Sequence, residues 1–128
     1  MNESIIPITP GLLSLIGSDN DLIKPFTHEI FLLSVVVAGT SHCKQIDELE
    51  PDINPETVLV LKREPNNKYD EFAIAVCFNN IRIGYVPADM NMVCSRLMDA
   101  GKVFFCRVVS KKWKNSWLKI IANIYMVE

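Results

Sequence analysis

Residues 59–76 read LVLKREPNNKYDEFAIAV and predict two strands on either side of a polar loop. The alternation from Leu59 to Arg63 predicts the strand that enters the loop, and the apolar run 73–76 predicts the strand that leaves it. Pro65 fixes φ and lacks a backbone N–H, so it ends the ladder of the first strand. A strand–loop–strand unit is therefore expected at this point of the chain.

The loop carries more chemistry than a turn requires. Asn66 and Asn67 tolerate a left-handed backbone and can hydrogen-bond to their own main chain, and Tyr69 stands directly before Asp70. Asn and Gly alone would suffice for a turn. Two interpretations follow: the ring and the carboxylate form a binding site, or Tyr69 packs over the loop while Asp70 caps a turn.

The rest of the sequence predicts a small, mainly β domain with one or two helices. The predicted strands are 29–38, which is apolar enough to be buried on both faces, 58–63, 72–78, 81–86, 103–109 and 117–125. Asn79 and Asn80 form a hairpin turn between two of them. Five to seven short strands with one main helix are typical of a small barrel or sandwich.

Two helical segments are expected within this domain, a brief turn at 46–49 and a main helix at about 89–100. Helical spacing predicts that one side of the main helix faces the core, namely Met90, Val93, Cys94, Leu97 and Met98. We expect the domain to occupy 28–128, after an N-terminal extension, 1–27, that contains a short helix beginning at Pro10.

Composition limits the class of protein. The 128 residues, 49% hydrophobic and 22% charged, suffice for one folded core. The N-terminus lacks the positive region of a signal peptide, and the most apolar run, 30–39, is too short to cross a bilayer. We therefore expect an intracellular, cytoplasmic protein with no membrane partner. The four cysteines show no metal-ligand spacing, so neither zinc, a disulfide nor any other cofactor is predicted.

The charge is distributed unevenly along the chain. Residues 1–56 contain nine acidic residues and two lysines, a net charge of −7, whereas residues 57–128 contain eleven Lys and Arg and six acidic residues, a net charge of +5. The local field, and not the total of −2, steers an anionic ligand. The half that contains the Tyr69-Asp70 loop is thus the half that suits a polyanion.

The connection 110–116 in the last predicted hairpin is also basic and aromatic. Lys111, Lys112 and Lys114 surround Trp113, with Trp117 close by. Cations and aromatic planes together are what a single-strand binder uses against phosphates and bases. The alternative is a solvated hairpin tip whose lysines prevent edge-to-edge aggregation.

Three sequence blocks resemble the HIRAN domain family. They are EPNNKYD at 64–70, AIAV at 73–76 and IGYVP at 83–87, in this order and about a strand apart. The resemblance runs from about residue 29 to about residue 127. It implies a compact β-barrel related to the OB-fold, with one or two helices. It also implies a module found at the N-terminus of helicase-like, fork-remodelling DNA repair proteins, whose best-understood members capture the free 3′ end of single-stranded DNA.

The resemblance also implies site residues. Asn67, Tyr69 and Asp70 match the positions that shape the pocket for the terminal nucleotide, and Tyr85 stands where some relatives carry a His or another aromatic. Lys62, Arg63 and Lys68 would contact phosphates if the loop orients them outward. Together with Lys112 and Trp113 of the basic hairpin, the full set of expected DNA-binding residues is Asn66, Asn67, Lys68, Tyr69, Asp70, Tyr85, Lys62, Arg63, Lys112 and Trp113.

The chain departs from the family pattern on the first strand. The DNA-end binders carry an Arg and aromatics there, whereas residues 35–37 of this chain are all Val. Either Lys44, His42 or the 111–114 lysines substitute for the missing contacts, or the affinity is weak, or the ligand differs.

Three function classes are weighed. The first is a nucleic-acid-binding module for single strands or 3′ ends, which the resemblance favours, with a role in DNA repair or stalled-fork processing. The second is a protein-interaction module that uses an apolar or acidic face, for example the segment 47–52. The third is an enzyme. The sequence shows no nucleophile–base pair, phosphate-binding loop or paired catalytic carboxylates. In larger relatives ATP hydrolysis belongs to a separate motor domain, so no enzymatic activity is expected.

Overall fold

Six strands form one sheet in the computed structural model, which describes residues 28–128. The strands are β1 (Glu29–Val36), β2 (Val58–Arg63), β3 (Ile74–Phe78), β4 (Ile81–Tyr85), β5 (Val103–Lys114) and β6 (Trp117–Val127). Their order across the sheet is β1-β6-β5-β2-β3-β4, and β2 pairs antiparallel with both β3 and β5, as does β3 with β4. The predicted mainly β class is confirmed.

A backbone bridge connects the two edge strands of this order. Ala38, just beyond β1, exchanges two hydrogen bonds of 2.8 Å with Tyr85 at the end of β4. On its other side the Val37 N–H donates to the carbonyl of Ile120 in β6 at 2.9 Å. The sheet is not closed by a continuous ladder, but this contact gives it the barrel-like arrangement that the sequence predicts.

The core follows the alternation of the strands. One face of β2, β5 and β6 is buried, with fully buried side chains that include Leu59, Cys106, Val108, Leu118 and Ile120. The opposite face of β2 exposes Val58 and Val60 by about half, because successive residues of a strand point to opposite faces of the sheet. Burial raises the pKa of the Cys106 thiol to about 12, which keeps this thiol protonated.

Two short helices complete the domain, α1 (Ile46–Leu49) and α2 (Met92–Asp99), with single 3₁₀ turns at Thr40–His42, Glu50–Asp52 and Ala88–Met90. The end of α2 is fixed by Gly101 at φ +100°. The Gly101 N–H bonds to the Met98 carbonyl at 3.0 Å and the Lys102 N–H to the Leu97 carbonyl at 3.0 Å, the pairing of a Schellman motif.

The predicted core-facing side of the main helix is partly wrong. Cys94 is buried, and Leu97 and Met98 pack against the core. Met90 and Val93 are 40% and 69% exposed. Met90 precedes α2, which begins at Met92, and α2 meets the core through Cys94, Leu97 and Met98 and not through Val93. Met90 belongs to the separate 3₁₀ turn.

Two strand predictions also need correction. β1 is not buried on both faces: Phe31 is 54% exposed, since β1 lies at an edge of the sheet order and only one of its faces meets the core. The connection 110–116 is not a loop. Strand β5 runs to Lys114 and a two-residue turn follows, with Asn115 at φ 59°. Polar composition suggested a loop, but β5 and β6 satisfy each other's backbone groups there.

Contacts divide the chain into two units, Met1–Ile30 with Val127–Glu128, and Phe31–Met126. In the described part of the first unit, His28 and Glu128 exchange two backbone hydrogen bonds of 3.1 and 2.9 Å. The predicted extension 1–27 and its short helix lie outside the described residues. No helix within 28–128 is long and apolar enough to cross a membrane.

Candidate functional site

A pocket of about 410 Å³ lies in the unit Phe31–Met126, within the range of small-ligand sites. It forms where the loop between β2 and β3 meets the end of β4 and the segment after β1. Its lining consists of Ala38, His42, Asn67, Tyr69, Asp70, Ala73, Arg82, Tyr85, Val86 and Ala88. Four of the ten residues predicted from the sequence, Asn67, Tyr69, Asp70 and Tyr85, are therefore brought together.

Asn67 shapes the loop. Its side-chain Oδ1 accepts hydrogen bonds from the N–H groups of Tyr69 at 2.8 Å and Asp70 at 3.1 Å. Its Nδ2 donates to Glu64 Oε1 at 3.1 Å. This Asx-type turn is the local bonding expected of Asn in a turn. It fixes the backbone direction at the two residues that follow.

The Tyr69 ring projects into solvent. The residue is 87% exposed, so the interpretation that Tyr69 packs over the loop is wrong. The Nζ of Lys68 lies 5.4 Å from the ring centroid. A ring that is not used for packing, with a cation beside it, is available to stack on a ligand.

Asp70 is held by two protein donors. Oδ1 accepts from the Phe72 N–H at 2.9 Å, and Oδ2 accepts from Asn91 Nδ2 at 2.8 Å. Asn91 is only 1% exposed, so its amide is a fixed support. Asp70 therefore caps a turn and lines the pocket at the same time. An ionised carboxylate has about four lone-pair sites, which leaves acceptor capacity for a ligand hydroxyl.

Tyr85, Glu64 and Arg82 form a linked group at the other wall. Tyr85 Oη donates to Glu64 Oε1 at 2.8 Å, and the Arg82 guanidinium lies over the Tyr85 ring at 5.3 Å. Arg82 Nη1 is 4.0 Å from Glu64 Oε2, yet the Arg82 side chain stays 57% exposed. Burial, and then the hydrogen bond to Glu64, raises the pKa of Tyr85. The phenol is therefore a stable donor, and the guanidinium faces the pocket.

Replacing Glu64 by Ala should disturb this wall. The variant removes the acceptor of Tyr85 Oη and of Asn67 Nδ2, so we expect the free energy of unfolding to fall by about 1–2 kcal/mol. The Tyr85 pKa should move down toward its ordinary value, because a negative neighbour that favours the neutral phenol is gone. Urea denaturation and ultraviolet titration against a Tyr85→Phe reference measure the two effects.

Glu71→Ala is the matched control for that variant, since Glu71 is an exposed acid of the same loop. It should leave both quantities near wild type. An unchanged free energy of unfolding in Glu64→Ala would contradict the linking role assigned to Glu64.

Arg63 is bonded within the protein. Its Nε and Nη2 donate to the Asp99 carboxylate at 2.9 and 3.1 Å. Nη1 and Nη2 also donate to the carbonyls of Ala73 at 2.8 Å and Glu71 at 2.9 Å. The hydrogen bond from Arg63 lowers the pKa of Asp99. Arg63 thus joins the loop to the end of α2 and does not line the pocket, unlike the phosphate contact expected from the sequence.

The remaining predicted residues lie elsewhere. Asn66 and Lys68 are exposed in the loop, and Lys62 is exposed on the outer face of β2. Lys112 and Trp113 lie in β5 near the hairpin turn, and neither lines the pocket. Their neighbour Lys111 donates to the carbonyl of Glu50 at 2.7 Å and pairs with its carboxylate at 2.6 Å.

His42 and Arg82 are pocket residues outside the predicted set. His42 was considered only as one substitute for the cations missing from the first strand. Arg82 immediately precedes the block IGYVP and gave no signal of its own. The β-bulge between Val76 and Cys77 changes the register so that Arg82 pairs with Cys77, and single-sequence patterns do not reveal such a shift.

Among the described residues, no group of three or more His, Cys, Asp or Glu side chains is placed to hold a metal ion. The pocket contains one carboxylate and one imidazole among its lining residues. Its chemistry is that of hydrogen bonding, stacking and charge.

The HIRAN domain family model matches residues 30–127. The chain belongs to the HIRAN domain family. Domains of this family are, in general, nucleic-acid-binding modules. A search of curated proteins finds no match.

Two solved structures show the same fold. A protein from Lactobacillus plantarum is 22% identical, with a TM-score of 0.73 over 80% of this chain and 98% of that one. The HIRAN domain of human HLTF is 19% identical, with a TM-score of 0.63 over 79% of this chain and 78% of that one. At these identities the likeness concerns the fold. The pocket of this HIRAN domain is therefore judged on its own residues.

Proposed function

We propose that this HIRAN domain binds single-stranded DNA and captures its free 3′ end in the pocket, by binding and without catalysis. The observation that carries the proposal is that the exposed ring of Tyr69 and the oriented carboxylate of Asp70 line one pocket, together with Arg82 and His42.

Asp70 supplies selectivity for the end. A carboxylate is an acceptor only, so it suits the donor of a 3′-hydroxyl. A phosphate at the same place would bring two anions together. At a separation of 4 Å their repulsion costs about 1 kcal/mol in bulk water and about 4 kcal/mol near a protein surface. A negative side chain in a nucleic-acid site weakens general binding. Asp70 also caps its turn and accepts from Asn91, and selection of a hydroxyl is the binding role that we assign to its charge.

Tyr69 and the cations supply affinity. A base stacked on an aromatic side chain contributes about 1–3 kcal/mol, and the Tyr69 ring is exposed enough to accept one. The guanidinium of Arg82 and the ammonium of Lys68 lie beside the Tyr85 and Tyr69 rings respectively. Both suit contacts to the phosphates that precede the terminal nucleotide.

We further propose a cytoplasmic role in DNA repair for this module. A module that selects free 3′-hydroxyl ends fits DNA repair, and in particular the processing of stalled forks. There it would direct a larger assembly to the end and leave the reaction to other domains.

Fluorescence anisotropy tests the proposal with 5′-labelled oligothymidylates that differ only in a 3′-hydroxyl or a 3′-phosphate. We expect about tenfold tighter binding of the hydroxyl end, a difference of about 1.4 kcal/mol. The affinity should fall as salt rises, since phosphate contacts release counterions. Equal binding of both ends would remove the end-capture role. Absence of salt-dependent binding would leave the protein-interaction alternative with its exposed acids Asp47 and Glu48.

A further inference from the structure

A second feature of the fold lies outside the pocket, on the outer face of the sheet. Strands β2 to β6 contain eight Lys and Arg and not one Asp or Glu. Apart from Glu29, the acidic residues within 28–128 lie in the connections, in α1 and α2, and at the C-terminus. Arg63, Arg82 and Lys111 each pair with an acidic residue outside these strands. Since Glu29 lies in β1, the single sign of charge holds for β2 to β6 and not for the whole sheet.

The outer face also exposes apolar side chains. Phe31 of β1 is 54% exposed, Val58 and Val60 of β2 are 52% and 49% exposed, and Val103 of β5 is 61% exposed. The register places Val58 opposite Arg107 and Val60 opposite Phe105. An exposed apolar patch of this kind in a folded domain indicates a binding surface.

Aromatic rings occupy the centre of this patch. The Phe105 and Tyr125 rings are stacked, with centroids 5.3 Å apart and planes at 16°. Phe31 meets Tyr125 edge to face at 5.9 Å. The Arg107 guanidinium lies over both stacked rings, at 4.9 Å from Phe105 and 5.1 Å from Tyr125. Aromatic rings are a surface on which nucleic-acid bases stack, and Phe31, at 54% exposed, is the most accessible ring of the three.

A row of paired residues links the patch to the pocket, although Cys77 within that row is only 5% exposed. Val60 pairs with Phe105 on one side and with Cys77 on the other, and Cys77 pairs with Arg82. Because paired residues share a face, one row crosses the sheet from the rings to Arg82, which lines the pocket. Neighbouring strands are about 4.8 Å apart, so Phe105 lies roughly 14 Å along the sheet from Arg82.

We infer that the outer face from Arg82 to Phe31 is a second contact surface for single-stranded nucleic acid. It stacks the bases that lead into the pocket. The direction of the strand rests on the proposed function, since a 3′ end in the pocket sends the preceding nucleotides across Arg82. The pocket and the row of paired residues from Arg82 to Phe105 together can contact about four or more nucleotides, which is the lower end of the range for OB-type folds. The single sign of charge on β2 to β6 favours this polyanion over a protein partner.

The test uses Phe31→Leu and Phe105→Leu, which remove the aromatic planes and keep apolar volume, with Val93→Ala as control. Val93 is 69% exposed on α2, away from the sheet. Anisotropy is measured with a dinucleotide, which fills only the pocket, and with a dodecamer, each with a 3′-hydroxyl or a 3′-phosphate. We expect each Leu variant to weaken dodecamer binding about fivefold or more. The loss should be the same for the 3′-hydroxyl and the 3′-phosphate dodecamer, and dinucleotide binding should be unchanged.

A second readout locates the bases. A 2-aminopurine placed several positions before the 3′ end should be quenched in wild type and recover its fluorescence in Phe105→Leu, whereas a terminal 2-aminopurine should stay quenched. Equal affinity of wild type for dinucleotide and dodecamer, or unchanged dodecamer binding in both Leu variants, overturns the inference and leaves end capture intact. If wild type binds 3′-hydroxyl and 3′-phosphate oligonucleotides equally but still binds the dodecamer more tightly than the dinucleotide, end capture is overturned and the second contact surface stands.

Discussion

Replacing Asp70 by Asn is expected to weaken binding of a 3′-hydroxyl oligonucleotide about tenfold and to remove most of the discrimination against a 3′-phosphate. The substitution keeps the shape of the side chain and the oxygen that accepts from the Phe72 N–H. Its amide nitrogen replaces the oxygen that accepts from Asn91 Nδ2, so the free energy of unfolding is measured together with binding. It removes the negative charge, and a hydrogen bond to a charged group contributes about 1.5–3 kcal/mol. The affinities for the two oligonucleotides should therefore become similar, because binding of the 3′-hydroxyl form weakens and binding of the 3′-phosphate form strengthens.

The control for this variant is Asp89→Asn. Asp89 is an exposed acid in the 3₁₀ turn Ala88–Met90, and it does not line the pocket. Both variants change the net charge by the same amount, so a general electrostatic effect would appear in both. Anisotropy at two salt concentrations separates the cases. An Asp70→Asn protein that still prefers the hydroxyl end as strongly as wild type would contradict the assigned role.

The sequence predicted the site in the part of the chain where local bonding determines the structure. Asn67 folds the loop through hydrogen bonds to residues two and three positions ahead, and such contacts depend on neighbours in the chain. Tyr69 and Asp70 stand side by side in that loop and within the block EPNNKYD, so the sequence indicates both of them. His42 and Arg82 reach the pocket only because the bridge of Ala38 with Tyr85 and the bulge in β3 bring distant segments together.

Arg63 shows the limit of reading charge alone. A basic residue beside a binding loop suggests a phosphate contact, but its guanidinium donates to Asp99 and to two loop carbonyls. Asp99 is 36 positions away in the chain, and nothing in the local pattern indicates that partner. The six strands, in contrast, are all predicted, because each is indicated by alternation or by an apolar run of consecutive residues. The strand predictions are wrong about the burial of β1 and about the length of the hairpin connection, because both depend on which strands are neighbours in the sheet.

Replacing Gly84 by Ala is expected to lower the free energy of unfolding by about 3 kcal/mol, the cost of forcing extra volume into a packed position. A Cβ at Gly84 would stand 2.4 Å from the carbonyl oxygen of Ala38 and 2.6 Å from Cγ1 of Val37. That carbonyl accepts the hydrogen bond from the Tyr85 N–H. The clash thus falls on the bridge between the edge strands, and a drop in melting temperature of roughly 12–24 °C follows for a domain of this size.

Two further variants identify the cause. Gly101→Ala puts the same methyl group where nothing lies within 4 Å, at a φ of +100°, so its cost is backbone strain alone, about 1–2 kcal/mol. Val37→Ala removes the side-chain contact and leaves the carbonyl contact. The double variant Gly84→Ala with Val37→Ala should therefore be no more stable than Gly84→Ala alone, whereas a rescue would assign the cost to side-chain packing. Tyr85 follows Gly84 and lines the pocket. Gly84→Ala should consequently also weaken oligonucleotide binding at temperatures where the variant is still folded, while Gly101→Ala should bind as wild type does.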